Sequence, residues 1–207
     1  MSQNKNALLV IDIQNDFCPG GILAVPGGDQ IISLIITLSQ NFQLVIATQD
    51  WHPPRHISFA SRWDKKPGDI ICINNMEQVL WPDHCISGTR GADFYSQLVT
   101  LRANFILRKG TNPDLDSYSG FFENDRKTAT GLEFLLKGLN VKKVYICGLA
   151  TDYCVFFTAL DAVRLGFDTY IIEDACRGID NPPGNLSRAL AELQKNRICL
   201  IKTNQLA

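Results

Sequence analysis

Two patterns in the sequence predict an α/β fold, a three-layer arrangement in which a six-stranded, mostly parallel sheet carries helices on both faces. The first is a set of six short runs rich in Val, Ile and Leu, whose near-continuous apolar character suits strands buried on both sides. The second is the helical spacing of the segments between most of those runs. Alternating strands and helices argue for parallel pairing through crossover connections.

In chain order the strands are expected at residues 7–13, 43–48, 105–108, 143–147, 169–173 and 198–202. The first reads Ala-Leu-Leu-Val-Ile-Asp-Ile, apolar except for one carboxylate near its end. Helices are expected at about 29–40, 93–101, 131–139, 152–165 and 185–195. In the fourth of these Val155, Phe156, Ala159, Ala162 and Val163 recur at helical spacing and Gly166 closes the element.

A chain of 207 residues with 45% hydrophobic and 20% charged residues is long enough to bury a substantial core, and reads as one domain over 1–207. The segment at about 50–95 is expected as an insertion carrying a metal site. The net charge is −1 with both signs dispersed, so nothing marks a surface for nucleic acid or an anionic membrane. No apolar run approaches the roughly 20 residues of a membrane span; the longest, 31–38, is broken by Ser33 and Thr37. The opening Met-Ser-Gln-Asn-Lys-Asn leads into a strand and is not expected to be a signal peptide. Seven cysteines without a CxxC pair suit reduced thiols in a cytoplasmic protein better than a disulfide framework. Cys18, Cys72, Cys85, Cys147, Cys176 and Cys199 are expected to pack as small hydrophobes, and the charged stretch Arg62-Trp63-Asp64-Lys65-Lys66 to form a solvated loop.

In sheets of this kind ligands bind beyond the carboxyl ends of the strands, and reactive residues collect there. Asp12 ends the first strand, Asp50-Trp51-His52 follows the second, and Lys109 follows the third. Gly148-Leu149-Ala150-Thr151-Asp152-Tyr153-Cys154 follows the fourth. Cys154 falls where a helix begins, and the unpaired N–H groups and partial positive charge of a helix N-terminus favour thiolate over thiol. Together the three form a workable nucleophile set, with Asp12 as base, Cys154 as nucleophile and Lys109 as the cation holding both in place. Glu173-Asp174, after the fifth strand, reads as a cap or a solvated pair.

All three histidines, His52, His56 and His84, lie within one stretch of the chain. Asp50-x-His52 puts a carboxylate and an imidazole on the same side of an extended segment, and His84 can supply a third donor from a distant loop. An Asp and two His leave open positions, as a metal site that binds substrate requires.

Several long motifs occur together and in order: Ala7-Leu-Leu-Val-Ile-Asp-Ile-Gln-Asn-Asp-Phe-Cys-Pro-Gly-Gly21, Thr48-Gln-Asp-Trp-His-Pro-Pro-Arg-His-Ile-Ser-Phe59, Trp81-Pro-Asp-His-Cys-Ile-Ser-Gly-Thr-Arg-Gly-Ala-Asp-Phe94, Arg108-Lys-Gly110, Tyr118-Ser-Gly-Phe121 and Gly148-Leu-Ala-Thr-Asp-Tyr-Cys-Val155. In these the sequence resembles the nicotinamidase/pyrazinamidase group of isochorismatase-like cysteine hydrolases, over about residues 7–180. The resemblance implies a catalytic triad of Asp12, Lys109 and Cys154, and metal ligands Asp50, His52 and His84 for one zinc, iron or manganese ion. His56 is a further candidate ligand. It also implies aromatic walls from Phe17, Trp81 and Tyr118, and a cis Leu149–Ala150 peptide that turns the N–H groups of Ala150 and Cys154 toward an oxyanion.

The activity so implied is hydrolysis of nicotinamide, and of pyrazinamide, through a thioester. No nucleic-acid or membrane partner is implied, and monomer and homo-oligomer both stay open. Other readings stay open as well: a related hydrolase acting on a different small amide, or a thiol redox protein without catalysis. Isochorismatases lack the nucleophilic cysteine, and carbamoyl-amide hydrolases lack the metal set.

Overall fold

The first apolar run becomes an interior strand around which the other elements are arranged. In the computed structural model, which describes residues 5–73 and 75–206, the elements in chain order are β1 (Lys5–Ile11), α1 (Ile32–Ser39), β2 (Leu44–Asp50), β3 (Ile70–Ile73), β4 (Met76–Val79), β5 (Phe105–Lys109), α2 (Leu132–Gly138), β6 (Val141–Leu149), α3 (Phe156–Arg164), β7 (Asp168–Arg177), α4 (Asn185–Lys195) and β8 (Cys199–Ile201). Residues 1–4, on which the expectation of no signal peptide rests in part, lie outside the described residues, as do 74 and 207.

Six strands form one sheet in the order β5-β2-β1-β6-β7-β8, every pairing parallel. The last five residues of β1 and all of β2 are buried, which is why their sequences carry no polar alternation until the strand ends. From β1 the chain adds β2 and β5 on one side, then returns to add β6, β7 and β8 on the other. Because such connections are almost always right-handed, crossovers running in opposite directions put helices on both faces, the three-layer arrangement expected. The reversal of strand order falls between β1 and β6, and the loops leaving these two strands flank the crevice that such a reversal opens.

Three elements differ from expectation. The helix expected at 93–101 is only a 3₁₀ stretch, Ser96–Thr100. Residues 91–95 are instead tied to the loop after β1: Asn15 donates to the Asp93 carbonyl, Tyr95 to the Ile13 carbonyl and the Gln14 side chain to the Ala92 carbonyl. The helix expected from residue 152 opens with a single π-turn, Thr151–Val155, before α3 continues it. The antiparallel hairpin of β3 and β4 was not expected, because its half-exposed residues carry neither a buried run nor a clean alternation.

Two cysteines also depart from expectation. Cys72 lies in the partly exposed hairpin and Cys199 opens the edge strand β8, and both are exposed; the other five are buried. In the stretch at 62–66, Asp64, Lys65 and Lys66 are exposed, as expected of a solvated loop, while Arg62 is anchored. Arg62 donates to the carbonyls of Arg55 and Pro113 and pairs with Asp114 at 2.9 Å. Asp174 accepts from the backbone and hydroxyl of Thr203, fixing the C-terminal turn.

The two central strands meet tightly where the order reverses. Gly148 has φ 121°, and a Cβ there would collide with the backbone of Ile11. A side chain at this position is penalised both by conformation and by overpacking against backbone that cannot yield. Gly148→Ala is therefore expected to destabilise the protein by about 2 kcal/mol or more. A urea midpoint unchanged from wild type, at equal m-value, would contradict this close-approach account.

Candidate active site

The parallel register sets the geometry of the site. Asp50 and Lys109 are direct partners at the carboxyl ends of β2 and β5, and Asp12 follows the end of β1. A hydroxyl two residues before Asp50 holds Asp12 in place. Thr48 donates its Oγ1 to Asp12 Oδ1 at 2.6 Å and accepts the Asp12 backbone N–H at 3.2 Å. Asp12 itself has φ 49°, in the left-handed region that Asp tolerates better than most residues.

Lys109 is the hub. Its side chain is fully buried, and Nζ lies 2.9 Å from Asp12 Oδ2, 2.5 Å from Asp50 Oδ1, 3.0 Å from the Ser117 carbonyl and 3.4 Å from Cys154 Sγ. Burial alone would lower its pKa, but the carboxylates of Asp12 and Asp50 outweigh burial and hold the ammonium charged. The two carboxylates respond differently. Burial pushes Asp12 up, against the pull of Lys109. At Asp50 the effect of burial is overcome by Lys109 and His52, which hold it below the ordinary carboxylate range. Asp12 is thus the better proton acceptor and Asp50 the standing anion, a division of labour set by environment alone.

Cys154 Sγ lies in one group with carboxylate oxygens of Asp12 and Asp50, all within 4.8 Å of one another. Burial raises its thiol well above the ordinary value, opposed by Lys109 and reinforced by Asp12 and Asp50. The helix-terminus argument for a ready thiolate is therefore outweighed. Burial and the two carboxylates favour the protonated thiol, beside the Asp12 carboxylate. The Leu149–Ala150 peptide is cis, as expected.

The candidate ligands converge next to this cluster. Donor atoms of Asp50, His52 and His84 lie within 4.8 Å of one another, and all three residues are buried. His52 Nδ1 bonds to the Gly110 carbonyl at 2.9 Å and His84 Nδ1 to the Pro82 carbonyl at 2.8 Å. A carbonyl can only accept, so in the neutral rings Nδ1 carries the proton and Nε2 is left with its lone pair, as metal ligation requires. Burial, with the nearby His52, lowers His84 to about 4, which keeps it neutral and ligand-competent.

His56 stacks on His52 with ring centroids 4.2 Å apart, but both its nitrogens are engaged, Nδ1 with Ser58 Oγ at 2.8 Å and Nε2 with the Leu115 carbonyl at 3.0 Å. It groups with His52 and Asp116 rather than with Asp50 and His84. The geometry therefore sets His56 behind the ligand set.

Phe17, Trp81 and Tyr118 line a cleft of about 450 Å³ together with His52, His84 and Cys154. Trp81 Nε1 donates to the Tyr118 hydroxyl at 2.9 Å, fixing two walls against each other. Asp12 and Lys109 sit behind Cys154, inaccessible to solvent.

Sequence reasoning missed several residues that shape this site. Phe59 packs edge-on against all three histidines, with centroids 5.6–5.7 Å away. Gly110 (φ 62°) is required because a Cβ would strike the His52 ring. Tyr153 and Ile179 add apolar surface to the cleft. Asp116 accepts from Gln78 at 2.7 Å and from the Ser117 backbone at 2.8 Å beside His52 and His56. The Arg108-Lys-Gly110 motif already included Gly110 and the Thr48–Phe59 motif Phe59, but neither indicated what the residue touches.

Comparison with known proteins adds an independent line. The isochorismatase domain model matches residues 6–203. The nicotinamidase of Acinetobacter baylyi is 49% identical, covering 92% of this chain and 89% of its own, and that of Escherichia coli is 42% identical, covering 90% of each. Among solved structures, an Acinetobacter baumannii nicotinamidase/pyrazinamidase superposes with TM-score 0.95 at 46% identity over the whole of both chains. PnC1 from L. infantum, in complex with nicotinate, gives 0.87 at 36% identity over 100% of this chain and 97% of its own. A pyrazinamidase of Pyrococcus horikoshii in complex with zinc gives 0.79 at 40% identity, covering 96% and 99%. The chain belongs to the isochorismatase family, in the group whose closely similar members are nicotinamidases.

Proposed function

We propose that the protein is an amidohydrolase that converts nicotinamide to nicotinic acid and ammonia, and pyrazinamide to pyrazinoic acid, within NAD salvage. One observation carries this reading: a buried carboxylate–ammonium–thiol cluster adjoins an Asp/His/His donor set in a single aromatic-walled cleft. The names of the relatives and the nicotinate in the L. infantum structure support the choice of substrate. Residues 1–207 are read as one hydrolase domain whose 50–95 insertion delivers Trp81 and His84. All seven cysteines are free, which suits a reducing compartment, and we assign the enzyme to the cytoplasm.

In this mechanism Asp12 takes the Cys154 thiol proton as sulfur attacks the carboxamide carbon. Lys109 stabilises the anionic partners on either side of the transfer. The backbone N–H groups of Ala150 and Cys154 are assigned to the oxyanion, a contribution of about 2.7–4 kcal/mol per donor in comparable sites. Asp12 then returns its proton to the nitrogen as the C–N bond breaks, releasing ammonia and leaving a thioester on Cys154. A water activated by the same carboxylate hydrolyses the thioester and restores the thiol. Phe17, Trp81 and Tyr118 hold the ring and exclude water from its faces.

Asp50, His52 and His84 would hold one divalent ion. The donor set, with both Nε2 atoms left free, fits zinc first and iron or manganese next; the zinc in the Pyrococcus structure supports that order. When bound, the ion supplies a Lewis-acid anchor for the pyridine nitrogen.

Cys154→Ala and Asp12→Asn are each expected to lower ammonia release from nicotinamide by about ten-thousand-fold or more with the fold retained. Turnover within tenfold of wild type in either variant would remove that residue from the mechanism. His52→Ala is expected to lose metal by elemental analysis and to raise KM more than it lowers kcat. Chelation of the wild type should do the same and be reversed by added metal. Metal content and KM both unchanged in His52→Ala would overturn the ligand assignment.

A further inference from the structure

Behind the wall of the catalytic cleft lies a second cavity, open to solvent at the exposed Glu77 and Arg126 and lined also by Glu123, Asp161, Phe157 and Tyr118. Glu123 is only 7% exposed, and its Oε2 is buried without a hydrogen-bond partner. A buried carboxylate oxygen left without a hydrogen bond is costly, so this atom calls for a donor from within the cavity. Among the described residues, the cations Arg126 and Lys109 do not meet that need. Arg126 is turned to Asp161 at 3.6 Å and lies over the Phe157 ring, and Lys109 is held by Asp12 and Asp50.

We propose that this cavity binds a small cation bearing N–H donors, and that its occupant is ammonium, the co-product of the amide hydrolysis. Two features select that chemistry. The unpaired Oε2 wants a hydrogen bond, which a bare alkali ion does not give. Glu77 and Glu123 supply negative charge, while Asp161 is already matched by Arg126 and Arg164.

The site also stands next to the source. Tyr118 lines both cavities, and its neighbour Ser117 lines the catalytic cleft and offers its carbonyl to Lys109. Burial pushes the Glu123 carboxyl up to about 7, opposed by Ser117 and Lys109; a cation at Oε2 adds to that opposition and stabilises the carboxylate.

The identity of the occupant rests on the amidohydrolase reading, and the test keeps the two apart by reading binding without turnover. Thermal unfolding is followed for the full chain in ammonium chloride, in potassium chloride and in tetramethylammonium chloride, the last two carrying the same charge without N–H donors, at matched ionic strength. A ligand at roughly ten times its Kd should raise Tm by about 3 °C in a chain of this length. The rise is expected for wild type and Cys154→Ala in ammonium only, and its loss is expected in Glu123→Gln, which keeps the shape and removes the charge. A second reading needs no variant: the NMR line of isotope-labelled ammonium should broaden in the presence of wild-type protein.

An equal rise in potassium chloride would overturn the requirement for N–H donors, and a rise retained in folded Glu123→Gln would overturn the site. No rise and no broadening would sink the proposal while leaving nicotinamide hydrolysis untouched. An ammonium-specific rise in a protein that does not turn over nicotinamide would keep the site and overturn the amidohydrolase reading instead.

Discussion

The structure depends on keeping one ammonium group charged in the buried interior of the sheet edge. A lone buried cation would be costly enough to shed its proton. Lys109 avoids this because two carboxylates and a carbonyl surround its Nζ within 3.0 Å. That arrangement in turn dictates the local fold. β2 and β5 must be parallel and in the register that sets Asp50 beside Lys109, and β1 must end one strand further in to bring up Asp12. Removing one partner of such a buried network costs about 3–5 kcal/mol because a charge is left uncompensated. The same interaction that orders the site therefore locks the strand ends together.

Asp50 makes the two constellations one. Its Oδ1 faces Lys109 while its Oδ2 lies 3.7 Å from His52 Nε2, so one carboxylate belongs to the cation hub and to the ligand set at once. A metal ion drawing on Asp50 would weaken its hold on Lys109 and leave that ammonium leaning toward Asp12 and the thiol. Binding at the donor set and proton affinity at the nucleophile are thus linked through a shared anion, not merely adjacent.

Much of this was legible in the sequence because parallel sheets write their function at strand ends. Asp12, Asp50, Lys109 and Cys154 could each be found by looking just past the end of an apolar run, and the motifs gave Trp81, His84 and Tyr118 their place. The residues that stayed hidden depend on packing between segments distant in the chain. Asp116 beside His52 carries no local signal, and Thr48 and Phe59, although they bound one of the motifs, carry none that places them beneath Asp12 and under the three rings. Each looks like an ordinary strand or loop residue until the fold closes. The failed helix at 93–101 has the same origin: hydrogen bonds from the loop after β1 claimed its first residues, and tertiary pairing overrode local periodicity.

Cys154 shows most directly why the environment, rather than the position in an element, decides chemistry. A cysteine at a helix start argues for a thiolate, yet here the first turn is a π-turn and the thiol is buried, and burial wins. A resting thiolate is unnecessary if the proton acceptor is in place. Burial raises Asp12 as well, which makes it a stronger base than a solvated carboxylate, while the nearby ammonium stabilises either anion that the transfer creates. Burial disfavours the anion on either group, and Lys109, 2.9 Å from Asp12 and 3.4 Å from the sulfur, offsets that charge on whichever side the proton lies. Burial that favours the neutral thiol also guards it against oxidation and adventitious alkylation, since the thiolate is the reactive form; in the proposed mechanism it would become a nucleophile only as its proton passes to Asp12.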